Sequence, residues 1–207
     1  MTMNITVHEN DLPHNLTFQN SIAVDTETMG LNIYRDRLCV VQLCDGSETV
    51  HIVKLTPEGN YQCPNLKKLL ANPKITKLFH YARFDISTLK YYLNIDCTPV
   101  YCTKIASKLV RTYTDRHGLK ELCRELLDIE ISKQQQSSDW GAAELSEQQL
   151  EYAAYDVYYL HRLQEKLDMM LKREQREHLA AKCFDFLPNL CEIDLLGWDR
   201  MNIFSHS

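Results

Sequence analysis

The chain has 207 residues, 44% apolar and 25% charged, with a formal net charge of −5. That length suits one domain with a substantial core and a short appendage, and the composition is that of a soluble globular protein. The acidic balance speaks against a grip on long DNA or RNA through many phosphates and favours a short substrate or a small local basic patch, although bound divalent cations would offset acidic groups locally. No basic stretch followed by an apolar one opens the chain, and no apolar run approaches membrane-spanning length, so the expectation is a cytoplasmic protein with no membrane partner. The eight cysteines (39, 44, 63, 97, 102, 123, 183 and 191) form no CxxC pair, and several sit in apolar runs. They read as buried, reduced thiols and not as a disulfide framework or a zinc site.

In chain order, residues 21–27 (SIAVDTE), 37–45 (RLCVVQLCD) and 49–55 (TVHIVKL) predict three strands of a meander, the last two joined by a turn around Gly46. Residues 64–72 (PNLKKLLAN) predict a short helix closed before Pro73. Residues 74–80 (KITKLFH) predict a fourth strand and residues 98–102 (TPVYC) a short fifth. Between them, residues 82–93 (ARFDISTLKYYL) predict a helix with Phe84, Thr88 and Tyr91 on one face. Helices follow at 104–110 and 118–127, then a polar loop at 133–144 (KQQQSSDWGAAE). A long helix over 146–171 has Ser146 as N-cap and Glu147 in its first turn. A further helix with a break near Pro188 leads to an aromatic tail, 194–207, which should dock on this chain or a neighbouring one. Strands first, then strands alternating with helices, then helices, imply a three-layer α/β domain with a mixed sheet.

Three short stretches carry possible chemistry. In a strand, residues i and i+2 point to the same face, so Asp25 and Glu27 would stand side by side at a strand end. There they would raise each other's pKa, and divalent cations would relieve the repulsion. A solvated strand end accounts for the same letters. In 80–85 (HYARFD), Asp85 falls in the first turn of a helix, where an acid is favourable for electrostatic reasons alone. In 152–156 (YAAYD), i and i+4 share a helix face, so Tyr152 and Asp156 can project together, as can any pair on an amphipathic face.

In order, spacing and context, "VDTET", "HYARFD" and "YAAYD" resemble the motifs of the DEDD superfamily of 3′–5′ exonucleases, in the tyrosine branch that includes ribonuclease D. The resemblance covers roughly residues 21–163, including "HGLKELC" and "SSDWGAAELSEQQLEYAAYD". The length of about one catalytic domain, the "KQQQSSDWG" loop and the ending "GWDRMNIFSHS" are similar to the nanoRNase C family. Larger ribonuclease D relatives carry Arg-Pro where this chain has Gly141-Ala142-Ala143-Glu144, which argues against transferring their binding of long RNA.

The resemblance implies a ribonuclease H-like domain over residues 1–170, with 171–207 as a C-terminal helix and tail packing on it or on a neighbouring subunit. It implies metal-dependent 3′–5′ cleavage of very short RNAs, dinucleotides especially, to 5′-mononucleotides, and a ring-shaped homo-octamer. It also implies two divalent ions, magnesium or manganese, on Asp25, Glu27, Asp85 and Asp156, with Tyr152 orienting or deprotonating the attacking water. A broader enzyme trimming longer RNA or single-stranded DNA, and a non-catalytic nucleic-acid-binding module on the same fold, are the alternatives. Leu31 would wedge against bases or serve as a core leucine. His80 would reach the scissile region or a base, or make local hydrogen bonds. His117 and Lys120, before the helix start at Gly118, would meet phosphate, while Arg111 and Arg116 read better as a solvated face. Lys133, Gln135, Ser137 and Ser138 would cap a 5′ phosphate, with Trp140 as the anchor of their loop. Gln149 would approach the substrate or lie on an exposed helix face.

Overall fold

The computed structural model describes all residues except Met1, Thr2, Ser132, Lys133, Gln134, Gln136, Arg200, Asn202, His206 and Ser207. Its strands are β1 (Asn4–Glu9), β2 (Ser21–Thr28), β3 (Leu38–Cys44), β4 (Thr49–Lys54), β5 (Thr76–Phe79) and β6 (Val100–Cys102). Its helices are α1 (Pro64–Leu70), α2 (Ala82–Leu93), α3 (Thr103–Val110), α4 (Leu119–Leu122), α5 (Glu147–Tyr158), α6 (Leu160–Arg173) and α7 (Glu177–Ile193). A π-helical turn continues α4 over Cys123–Leu127 and another continues α7 over Asp194–Trp198.

The strands form one mixed sheet in the order β1-β4-β3-β2-β5-β6. The predicted meander is there: β2 and β4 both run antiparallel to β3. The crossover strands β5 and β6 are parallel to β2 and to each other, as strand–helix–strand units require. Every residue of β3 is buried, the signature of a central strand covered on both faces. Helix α5 lies across β2, β3 and β4, and α2 lies against β2, β3 and β5.

Four expectations are corrected. Strand β1, parallel to β4 at the sheet edge, was not anticipated. It buries little of itself, so it carries no strong apolar pattern, and a His8 Nε2–His51 Nδ1 contact of 3.0 Å ties it to β4. The predicted helix over 146–171 is two helices, because α5 packs on the sheet while α6 turns away to pack on α3, with Tyr159 at the junction. Helix α7 runs through Pro188 without ending there. Helix α2 buries Ala82, Ile86, Leu89 and Leu93, while Tyr91 stays at the surface, packed edge-on against Tyr34 and Tyr92.

The cysteines behave as expected: all eight are free and all but Cys183 are buried. Arg111 does not. It is fully buried, paired with Glu125 and donating to Arg116 O (2.7 Å) and Ser107 Oγ (3.1 Å). Stranding a buried charge costs more than removing it. Glu125→Ala should therefore lower the urea unfolding midpoint further than Arg111→Met, which leaves Glu125 facing solvent. The reverse order would mean that the guanidinium is not held by this pair.

Candidate active site

Strand β2 brings Ile22, Ala23 and Val24 through the core at zero exposure and then delivers Asp25 and Glu27, both half-buried, at its far end. Helix α5 supplies Asp156. Carboxylate oxygens of Asp25, Glu27 and Asp156 lie within 4.8 Å of one another, the one such cluster of potential metal ligands found among the described residues. Asp85 is outside this trio. It is buried in the first turn of α2, and Thr26 Oγ1 donates to its Oδ1 at 2.7 Å. The alternation of a strand sends Thr26 to the face opposite Asp25 and Glu27, so the middle residue of Asp-Thr-Glu carries a second function that the spacing allowed one to find.

The electrostatics follow from this crowding. Burial, then the neighbouring carboxylates, raise Asp25 well above the ordinary carboxylate range. The same causes push Glu27 up to about 9. Burial lifts Asp85 to about 7 against the lowering pull of Thr26. Burial, followed by the charges of Asp156, Glu27 and Asp25, raises the Tyr152 phenol, so it stays protonated.

These groups line a cleft of about 610 Å³. Leu31, His80, Lys120, Ser137, Ser138 and Trp140 also line it. Leu31 is 87% exposed, which removes the core-leucine reading. Trp140 is buried and packs on Tyr152 at 6.0 Å between ring centroids. Lys104 and Tyr81 were not anticipated in the lining. The Lys104 ammonium sits 4.1 Å from the Tyr81 ring centroid, and Tyr81 holds a left-handed backbone (φ 70°) just before α2, a conformation that a bulky residue adopts at a cost. A second cavity of about 730 Å³ shares Leu31, Tyr81 and Phe84 with the first.

Other expected site residues lie elsewhere. His117 is half-buried beside the cleft, its Nδ1 2.8 Å from Ser107 Oγ. Gln149 is buried, forms a capping box with Ser146, and donates to Ser138 Oγ (3.2 Å) and Asp139 O (3.0 Å). Its amide thus secures the loop that walls the cleft. The Ser146-x-x-Gln149 spacing was the available signal. Gln135 accepts from the Ser138 N–H through its carbonyl and is not among the lining residues. Lys133 lies outside the described residues.

The raised carboxylates make a signed prediction. A carboxyl whose folded pKa is raised leaves the folded state with more protons than the unfolded chain, so stability falls as pH rises through that window. For Glu27 the window runs from its ordinary 4.5 to about 9. His8, His51, His117 and His161, all held below their ordinary value chiefly by burial, act oppositely below about pH 6.5. Between about pH 7 and 9 the chelator-treated protein should therefore lose melting temperature, Glu27→Gln should flatten that loss, and magnesium or manganese should reverse it. A chelated wild type as stable at the upper pH as at the lower would contradict the clustering.

The profile of a 3′–5′ exonuclease family matches residues 6–172. Ribonuclease D of Acidiphilium cryptum is 37% identical over 161 residues, 78% of this chain but 40% of that protein. The chain thus spans about two fifths the length of that relative. The structure of Brucella melitensis NrnC bound to pGG superposes with a TM-score of 0.95 at 54% identity over 100% of both chains. Brucella melitensis NrnC with bound Mg²⁺ superposes at 0.94 with 53% identity, over 99% of this chain and 100% of that one. The sheet order and flanking helices are accordingly those of a ribonuclease H-like exonuclease domain. With its acids and tyrosine gathered on that scaffold, the chain belongs to the 3′–5′ exonuclease family, in the ribonuclease D-like branch of the DEDD superfamily.

Proposed function

We propose that this chain is a metal-dependent 3′–5′ exoribonuclease that degrades very short RNA oligonucleotides, dinucleotides above all, to 5′-mononucleotides. The observation that carries the reading is the convergence of Asp25, Glu27 and Asp156 in a cleft of about 610 Å³ that a second cavity of about 730 Å³ adjoins. Asp25, Glu27, Asp85 and Asp156 would hold two divalent ions, magnesium or manganese, to which hard oxygen donors are suited. When bound, such ions activate water and offset charge on the phosphate under attack. Tyr152, kept protonated by its surroundings and hydrogen-bonded to Asp156, would position that water through its phenol oxygen and is a poor base for it. Asp85, held by the Thr26 hydroxyl and by backbone N–H groups, would support the site through water.

Leu31, Tyr81 and Phe84 form an apolar saddle between the two cavities, which suits bases lying on either side. Lys120 of α4 and Ser137 and Ser138, which line the cleft, would meet the phosphates, with Lys133 from the loop of the two serines. His117 and Gln149 would act from behind this wall. NrnC of Brucella melitensis, alike over its full length, was solved with pGG, a ligand two bases long, and with Mg²⁺. The relatives named ribonuclease D favour a second reading, the trimming of longer RNA or single-stranded DNA. A cytoplasmic setting suits the eight free thiols; no helix among the described residues is long and apolar enough to cross a membrane.

Residues 1–170 would be the catalytic domain, with 171–207 as a C-terminal helix and tail: α7 packs on α2, α3 and β6 of the same chain, and the tail would meet a neighbouring subunit. Asp194 is held by Arg83 through two contacts of 2.5 and 2.6 Å, which docks the start of the tail. Beyond it Leu196, Trp198, Met201, Ile203 and Phe204 remain exposed, an apolar patch that fits burial against further copies, in a homo-octamer by likeness to the nanoRNase C family.

Hydrolysis of 5′-phosphorylated RNAs of two to about twenty nucleotides, with magnesium, manganese or chelator, tests the activity. The dinucleotide should be cleaved fast and the long RNAs spared, and Asp25→Ala or Asp156→Ala should lower turnover by about a thousandfold or more. Progressive shortening of the long RNAs would favour the trimming enzyme, and metal-independent or absent cleavage by folded protein would sink both. For assembly, deleting residues 197–207 should lower the native mass measured by light scattering; an unchanged mass would rule out the tail as the contact.

A further inference from the structure

The backbone is left-handed at Tyr61 (φ 55°) and Tyr81 (φ 70°), a conformation in which a bulky side chain crowds its own main chain. Asn10, Asn20, Asn60 and Asn94, which tolerate it, fill other such positions. Tyr61 serves the fold in return: its hydroxyl donates to Leu38 O at 3.1 Å, and its ring packs on Tyr92 at 5.3 Å between centroids. Tyr81 makes no comparable return. It is 52% exposed, its hydroxyl has no hydrogen-bond partner among the described residues, and it precedes α2 without capping it. Asparagine or glycine would suit both the backbone and the helix start better. What Tyr81 does is line both cavities, beside Leu31 and Phe84. The Lys104 ammonium lies 4.1 Å from its ring centroid, as a cation drawn to a ring face does. A ring has two faces, so the other can take a second partner.

We propose that Tyr81 is the stacking platform of the site: one base of a bound dinucleotide lies on the ring face opposite Lys104. The inference rests on the exonuclease reading and deepens it by giving one base a named partner. Every base has a flat π-face, so such a contact works whatever the sequence. A phosphate or a sugar gains nothing comparable from a ring. Of the three saddle residues, Leu31 has no ring, and Phe84 sits in the regular geometry of α2. Only Tyr81 holds a left-handed backbone. It breaks a local rule without a gain to the fold, and such breaks gather where a ligand gives the return.

The test uses 5′-phosphorylated diguanylate and its two forms lacking one base, at the 5′ or the 3′ position. Binding is measured in calcium and hydrolysis in magnesium. With one of the two forms, wild type should lose roughly tenfold in affinity. Tyr81→Leu should bind intact diguanylate about tenfold more weakly and lose little more when that base is removed. Tyr81→Phe, which keeps the ring, should retain the wild-type difference. Tyr81→Asn, suited to the left-handed backbone, should melt no lower than wild type in chelator, and Tyr81→Leu should keep the native mass. A wild type that loses nothing with either form, or equal losses in wild type and Tyr81→Leu, would overturn the assignment. So would a lower melting temperature in Tyr81→Asn, since the ring would then serve the fold. A lower mass in Tyr81→Leu would overturn it too, since the ring would then serve assembly. If wild type hydrolyses none of the ligands, the exonuclease reading fails, while the affinity differences still decide the role of Tyr81.

Discussion

Three carboxylates within 4.8 Å of one another, at the end of a strand whose preceding residues are fully buried, set the conditions for the surrounding structure. Their desolvation and mutual repulsion raise the cost of ionisation, so the folded chain keeps protons there or gathers cations. A solvated strand end would have let Asp25 and Glu27 turn to water. Here Tyr152 and Asp156 of α5 cover one side and Asp85 of α2 approaches from the other, so neither acid escapes. Holding these groups together is a strain on stability that an apolar cluster would not impose, and it is accepted where the groups have work to do.

Thr26 shows how the scaffold manages the crowd. By donating to one oxygen of Asp85 it favours the ionised form there and opposes the effect of burial, and Asp85 rises only to about 7 where Glu27 rises to about 9. Neighbouring acids in one site are thus separated in proton affinity by the hydrogen bonds Asp85 receives, from the Thr26 hydroxyl first and from backbone N–H groups after it, where Glu27 has none. That separation is the device by which similar side chains take different roles.

The acids were legible because their spacings are geometric: i and i+2 on a strand, the first turn of a helix, i and i+4 on a helix. The meander and the crossover strands were legible because their residues are buried and apolar. Strand β1 was not, since an edge strand with mostly exposed side chains has no burial pattern to read. Arg111 looked like part of a basic surface because the letters around it are basic; only the fold reveals Glu125 as its partner. Lys104 was hidden inside a helical run, and its place at the cleft follows from the cation–aromatic contact with Tyr81, which no local pattern encodes. The break at Tyr159 reflects what α5 and α6 pack against, which is a long-range property.

The position of the cleft follows from the order of the strands. Strand β2 is where the sheet changes character, antiparallel to β3 on one side and parallel to β5 on the other. Chain leaving the C-terminal end of β5 enters α2, while chain leaving β2 returns through β3, so the connections part there and open a crevice. Asp25, Glu27 and His80 all sit at that end. The far wall is the 137–140 segment, seated by Trp140 on Tyr152 and by the Gln149 amide on Ser138 and Asp139. The crevice is thus opened by topology and then walled by an anchored loop, and the parting of the connections at β2 places the acids of a strand, the first turn of α2 and the face of α5 around one space.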